Sequence, residues 1–162
     1  CCAYDESVEV TIVDLPGQVA TLQERIDRGK LCDRIQPTPC DVLDSSAPLP
    51  AGHRVIWMSQ FLDCFSEEEI VSILTRAAAV MDSTTSLFIL ETFWDLQRWE
   101  ASRYNIVQTS LYFTAVANGN SKMYHSDRMR ACVEAAGLVV ATVHEDIGIA
   151  HSMFECKKPA SG

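Results

Sequence analysis

The chain has 162 residues, of which 48% are hydrophobic, a size and composition that suit one globular domain and exclude a disordered segment. With 13 Lys and Arg against 22 Asp and Glu the net charge is −9, which excludes a phosphate-tracking surface and so nucleic acid as the main partner. Seven cysteines without a Cys-x-x-Cys suit neither a zinc site nor a compact disulfide framework, and no signal peptide or long apolar run is seen, so free thiols in a reducing cytoplasm, no metal and no membrane insertion are expected.

Residues 1–7 read as the end of an earlier helix and a connecting loop. Residues 8–14 (VEVTIVD) form the first predicted strand: Val8, Val10, Ile12 and Val13 are apolar and β-branched, without a helical period. The run stops at Asp14, and Leu15-Pro16-Gly17 turns the chain into a helix over about 16–28. Val19, Leu22 and Ile26 line one face of that helix, and Gly29 ends it. A short second strand is expected at 31–35. Pro37 and Pro39 follow closely, and proline cannot donate to a ladder, so this is read as an edge strand. Asp41 and Val42 lie where the segment turns back.

After a Pro/Ala/Gly loop at 45–53, residues 54–59 (RVIWMS) read as a central strand, apolar on both faces. A loop at 60–65 leads to the capping box Ser66-x-x-Glu69 and a helix with a buried stripe of Ile70, Ile73, Leu74 and Ala77. Residues 82–85 form a turn, and 86–91 (SLFILE) a buried strand ending in Glu91. Residues 95–117 read as mostly helical and 118–125 as a loop. Ser126 is expected to cap a helix with Met129, Cys132, Val133 and Ala136 on one face, closed by Gly137. Strands at 138–144 and 150–157 have no helix between them, so they should be antiparallel neighbours.

The predicted fold is therefore α/β: a mostly parallel Rossmann-like sheet with a C-terminal antiparallel hairpin. Ligands bind at the C-terminal ends of the strands in such sheets, and Asp14, Asp41, the 59–64 segment and Glu91 all fall there. A carboxylate like Asp14 at a strand end accepts hydrogen bonds from both hydroxyls of a ribose. It equally suits a helix cap before Pro16. The fold needs a strand and a Gly-rich turn ahead of Asp14, yet no G-x-G occurs. The first strand is thus expected to be missing, and the chain to be part of a longer protein.

The segments VTIVDLPGQV, CDVLDSSAPLP, RVIWMSQFLDCFSEEEIVSILTRAAAVM, LFILETFW and MRACVEAAGLVVATV resemble, in order and spacing, the catalytic domain of S-adenosylmethionine-dependent O-methyltransferases of the caffeate and acetylserotonin class. The resemblance covers nearly the whole chain from Val8. It implies a partial catalytic domain over 1–162, S-adenosyl-L-methionine as cofactor, a small-molecule methyl acceptor, and a homodimer made through an N-terminal domain outside these residues. By position, Asp14 would hold the ribose with Leu15 beside the adenosine, Asp41 and Val42 would face the adenine, and Ser59 and Gln60 would line the cofactor. Where the family usually carries Lys or Arg and an aromatic, this chain has that Ser-Gln pair. Asp63 stands where the family carries its catalytic His, and Glu91 matches the acid that orients that His. A further family acid would fall near Met123, where none exists.

Methyl transfer from a sulfonium needs mainly a positioned acceptor and removal of its proton. A carboxylate is a weaker base than imidazole for a phenol of pKa ~10, unless burial raises it from ~3.9. Asp63 as base, Asp63 as an orienting group, and His125 as an alternative base all stand open. Cys64 is either a reactive thiol or a small buried side chain. Of Trp57, Phe61, Trp94, Tyr112 and Phe113, Phe61 and Tyr112 are the pocket candidates and the rest are core. Two other functions compete: a nicotinamide-dinucleotide oxidoreductase, which also uses a ribose acid, and a relative that keeps the cofactor but has lost turnover.

Overall fold

A computed structural model describes residues 1–29, 31–117 and 119–160, whose contacts fall into two units, Cys1–Pro50 and Ala51–Gly162. In the first unit β1 (Val10–Asp14) leads directly into α1 (Pro16–Asp27), and β2 (Ile35–Pro39) returns parallel to β1. Residues 1–7 form turns rather than the end of a helix. The Arg34 guanidinium ties that lead down, donating to the carbonyls of Cys2 (2.7 Å), Asp5 (3.0 Å) and Val8 (2.7 Å).

β2 lies later than the 31–35 expected, and it contains the two prolines that seemed to end it. The register explains this. Arg34 O accepts from Val10 N and Cys40 N donates to Asp14 O, so the even-numbered residues of β2 carry the ladder to β1. Pro37 and Pro39 therefore face the open edge, where a missing N–H costs nothing and discourages edge pairing.

The second unit holds a four-stranded mixed sheet in the order β3-β4-β6-β5, where β3 is Val55–Ser59, β4 Ser86–Glu91, β5 Val139–Ile147 and β6 His151–Lys157. β3 and β4 are parallel; β6 runs antiparallel to both β4 and β5. The expected C-terminal hairpin is present, and its second strand is the inner one. β3 is not buried on both faces: Val55 and Trp57, two residues apart on one face, are 54% and 56% exposed, and its neighbour among the described residues is β4 alone.

α2 (Glu67–Val80) starts at the predicted capping box, with Ser66 Oγ accepting from Glu69 N–H (3.3 Å) and Glu69 Oε2 accepting from Ser66 N–H (2.8 Å). Its stripe of Ile70, Ile73, Leu74 and Ala77 is buried. α2 packs on α4 (Ser126–Ala135), which contributes Met129, Cys132 and Val133. α3 (Glu100–Tyr112) continues as a wider π-helical turn over Phe113–Ala117, so the helix predicted over 95–117 begins five residues late. The predicted 118–125 loop opens at Asn118, which lies outside the described residues.

Strict alternation decides the core of the sheet. Leu87, Ile89 and Glu91 of β4 are buried, as are Cys156, Phe154 and Ser152 of β6, and the register pairs them in that order. One face thus carries an apolar row that ends, at the edge where β4 finishes, in the polar pair Glu91 and Ser152.

Candidate functional site

Asp14 is the last residue of β1, and Asp41 lies two residues past the end of β2 on the same edge. The capping alternative for Asp14 fails: α1 has Leu15 at its N-cap, Pro16 in its first turn and no side-chain cap. Asp14 Oδ1 instead accepts from its own neighbour, Leu15 N–H, at 2.7 Å, which fixes the carboxylate at the strand end in an exposed position. Asp41 Oδ1 accepts from Leu43 N–H (2.9 Å), forming an Asx turn that shapes the exit from β2. Leu15 is 51% exposed and Val42 is half-buried. Two carboxylates and two apolar side chains thus lie at one strand edge of the first unit.

In the second unit the centre is Glu91. Its side chain is buried, yet Oε1 accepts two backbone N–H groups of the loop after β3, from Phe61 (2.9 Å) and Leu62 (2.8 Å). Glu91 therefore holds the loop itself, and its Oε1 bonds go to backbone amides rather than to the side chain at 63. Burial pushes its carboxyl up from 4.5 to about 7, helped by the nearby charge of Asp63 and opposed by the loop amides. Its second oxygen, Oε2, is buried without a hydrogen-bond partner among the described residues, and so is Ser152 Oγ.

The loop so held begins at Gln60, which adopts φ 45°. A non-glycine residue in this left-handed region costs on the order of 1–3 kcal/mol and persists only where its surroundings enforce it. Here they do. Gln60 N–H donates to Leu90 O (2.8 Å), and its side-chain amide meets the His151 ring at the start of β6. Leu62 is fully buried at the head of a 3₁₀ turn over Leu62–Cys64. Asp63 is only partly covered; loss of water raises its carboxyl above the usual carboxylate range, against the Cys64 thiol, which donates to it at 3.6 Å. Cys64 itself is exposed, not the small buried side chain expected. Its thiol is raised by desolvation and by Asp63, which makes it a poor nucleophile.

The segment before α4 clasps the same loop from the other side. Lys122 N–H donates to Asp63 O (3.0 Å), and Tyr124 OH donates to Phe65 O (2.5 Å). Tyr124 is buried, and desolvation raises its phenol far above ordinary values. Glu67 accepts from Lys122 Nζ (3.3 Å) and from Arg128; the Arg128 bond is the main cause lowering its carboxyl. An open groove of about 500 Å³ lies here, lined by Ser66, Glu67, Glu68, Thr114, Gly119, Asn120 and Lys122.

His125 is the N-cap of α4, one residue before the cap expected at Ser126. Its Nδ1 accepts from Asp127 N–H at 3.1 Å. Ser126 turns instead to Asp95, which accepts from its N–H (2.7 Å) and its hydroxyl (2.5 Å). The His125 ring packs edge-on against Trp94, 4.8 Å between centroids. Among the aromatics, Trp57 and Tyr112 are exposed and Phe61 stands edge-on to Phe65 at 5.0 Å. His151, Ser152 and Tyr124 were missed in sequence.

Among the described residues no group of three His, Cys, Asp or Glu is placed to hold a metal ion, and no helix is long and apolar enough to cross a membrane. Neither a protein-family model nor a curated protein matches the sequence. Solved structures do share its fold. The mitomycin 7-O-methyltransferase MmcR matches 98% of this chain and 44% of its own, at TM-score 0.80 and 18% identity. NcsB1, an O-methyltransferase from neocarzinostatin biosynthesis in complex with S-adenosyl-L-homocysteine (SAH) and 1,4-dihydroxy-2-naphthoic acid, matches 98% and 44%, at TM-score 0.77 and 21% identity. PigF with SAH matches 97% and 45%, at TM-score 0.81 and 19% identity. The chain spans less than half the length of these structures, and its fold is the Rossmann-like fold of such methyltransferase structures.

Proposed function

We propose that the chain is a partial catalytic domain, over 1–162, of an S-adenosyl-L-methionine-dependent methyltransferase acting on a small molecule at a hydroxyl oxygen. The observation that carries this reading is the likeness over 98% of the chain to structures such as NcsB1, whose complex holds SAH and a dihydroxynaphthoic acid. The matched structures are more than twice as long; a homodimer assembled through residues outside this chain is what the resemblance implies. Cytoplasmic residence fits the seven free thiols.

Asp14 takes the ribose hydroxyls, with Leu15 beside the adenosine; Asp41 and Val42 face the adenine. Ser59 and Gln60 line the cofactor from the braced loop. When bound, the cofactor supplies an activated methyl group; the protein's part is to orient the acceptor and take its proton. Asp63 is the base: its raised carboxyl makes it a better proton acceptor than an ordinary aspartate. Glu91 supports it by fixing the loop. His125 is set aside as base because its Nδ1 is engaged as a cap.

One observation favours a second reading, a cofactor-binding relative without this turnover: the loop presents Asp63 where the resemblance implies His. Calorimetric titration of the full-length protein with SAH, beside Asp14→Ala, is the first test. Loss of a charge-assisted pair of hydrogen bonds should weaken binding about tenfold or more. Absence of binding to the unaltered protein would refute the cofactor. Binding without turnover on any phenolic acceptor, in both the unaltered protein and Asp63→Asn, would favour the second reading.

A further inference from the structure

Asp63 sits in the middle of a three-residue 3₁₀ turn, Leu62–Cys64. So short a turn is not stable alone, and it leaves amides unpaired at its start and carbonyls at its end. Both ends are taken up by distant parts of the chain. At the start, Glu91 Oε1 accepts from Phe61 and Leu62 N–H. At the end, three successive carbonyls accept from one short strap before α4, residues 121–124. Asp63 O accepts from Lys122 N–H (3.0 Å), Cys64 O from the Ser121 hydroxyl (3.5 Å) and Phe65 O from the Tyr124 hydroxyl (2.5 Å). Ser121 and Tyr124 are 6% and 3% exposed, so water competes little for these bonds. The strap is itself tied down: Met123 N–H donates to Ser110 Oγ (2.9 Å), the Thr114 hydroxyl to Ser121 O (3.0 Å) and Trp94 N–H to Tyr124 O (3.4 Å). Ser110 lies on α3 and Thr114 in the π-helical turn that continues it. Fixing the backbone at 63 from both sides fixes the Cα–Cβ direction of Asp63, and with it the small set of places its carboxylate can occupy.

We propose that Tyr124 and Ser121 are positioning residues for Asp63: their hydroxyls, with the Lys122 amide, hold the carbonyl end of the 3₁₀ turn while Glu91 holds its amide end, and so set where the Asp63 carboxylate takes the acceptor's proton. The proton-transfer part of this inference rests on the function proposed above; the grip on the turn does not. Tyr124 has no part in the proton transfer itself, since its hydroxyl proton is spent on Phe65 O. The groups that face Asp63 and titrate are Glu91 from β4, Tyr124 from the strap and Cys64 on the turn itself.

Amide hydrogen exchange, the Asp63 titration and turnover of the full-length protein test this. Tyr124→Phe keeps the ring and removes one hydroxyl. It should speed exchange about fivefold, the loss of one ordinary hydrogen bond, at Lys122 N–H, which reads the bond to Asp63 O, and at Phe65 N–H, which closes the turn on Leu62 O. The amides of β5 should keep their rates. A loosened turn admits water to Asp63, so the midpoint of its carboxyl titration, read by carbon NMR, should fall back toward the ordinary aspartate value. On a phenolic acceptor kcat should fall about tenfold or more, with the KM of the acceptor and the affinity for SAH unchanged within about twofold. Ser110→Ala releases the strap from α3 without touching the turn, and should give the same three changes, each smaller. Unchanged exchange at Lys122 and Phe65, or equal acceleration in β5, overturns the grip. Faster exchange there with the Asp63 midpoint and kcat unmoved overturns the positioning role, as does a fall in SAH affinity equal to the fall in kcat. If the unaltered protein binds no SAH or turns over no acceptor, the proposed function fails on its own, while exchange and the Asp63 midpoint still decide the inference.

Discussion

Replacing Glu91 by glutamine isolates the cost of a buried carboxyl. Glutamine has the same shape, and its carbonyl oxygen can still accept from Phe61 and Leu62 N–H, so the loop keeps its anchor while the charge is removed. Burial raises the Glu91 carboxyl from 4.5 to about 7. Between these values the folded protein holds a proton that the unfolded chain has released. Stability contributed by the protonated group is therefore present below pH 4.5 and is lost as pH rises through about 7. At about 1.36 kcal/mol per pH unit the loss is about 3 kcal/mol. Denaturant unfolding at a series of pH values should show the Glu91→Gln protein gaining on the unaltered one by about that much between pH 4.5 and 8. Carbon NMR of the Glu91 carboxyl reads its folded-state titration directly. Stability curves that stay parallel across this range, or a carboxyl that titrates near 4.5, would refute the reasoning.

Ser66→Ala removes the side-chain half of the capping box and should cost about 1 kcal/mol in unfolding free energy. Leu74→Ala deletes a fully buried side chain of α2 and should cost about 2–5 kcal/mol by the same measurement, at the upper end if the neighbours do not close the cavity. His125→Ala removes the cap of α4 and should lower stability by about 1 kcal/mol. His125→Asn, a good cap, should restore stability and leave turnover unchanged, whereas a fall in kcat of about a hundredfold or more would make the imidazole a catalytic base. In the pH profile of turnover, the rate should climb as pH rises through the raised Asp63 pKa, and Asp63→Asn should flatten that climb.

Much of the fold was legible because the signals were local. The apolar run ending in an acid at 86–91 and the S-x-x-E start of α2 follow from compositions and spacings that hold in any context. Pro37 and Pro39 misled for a physical reason: a missing N–H excludes a residue from a ladder only on the side that needs it, and register decides which side that is. His125 was missed as a cap because imidazole is an uncommon cap acceptor and Ser126 beside it is a common one.

By itself the sequence determined the strand-end carboxylates Asp14 and Glu91, the apolar run that makes β4 a buried strand, and the boundaries where capping chemistry is strong. These depend on residues within a few positions of each other. The tertiary structure alone decided what those groups do: that Asp14 leaves α1 uncapped, that Glu91 spends its first oxygen on backbone amides 29 and 30 residues earlier in the chain, that Gln60 is held left-handed by β4 and β6, and that Ser152 stands beside Glu91. The Glu91 and Gln60 contacts join groups 29 to 91 residues apart, and no local pattern encodes which distant group meets which.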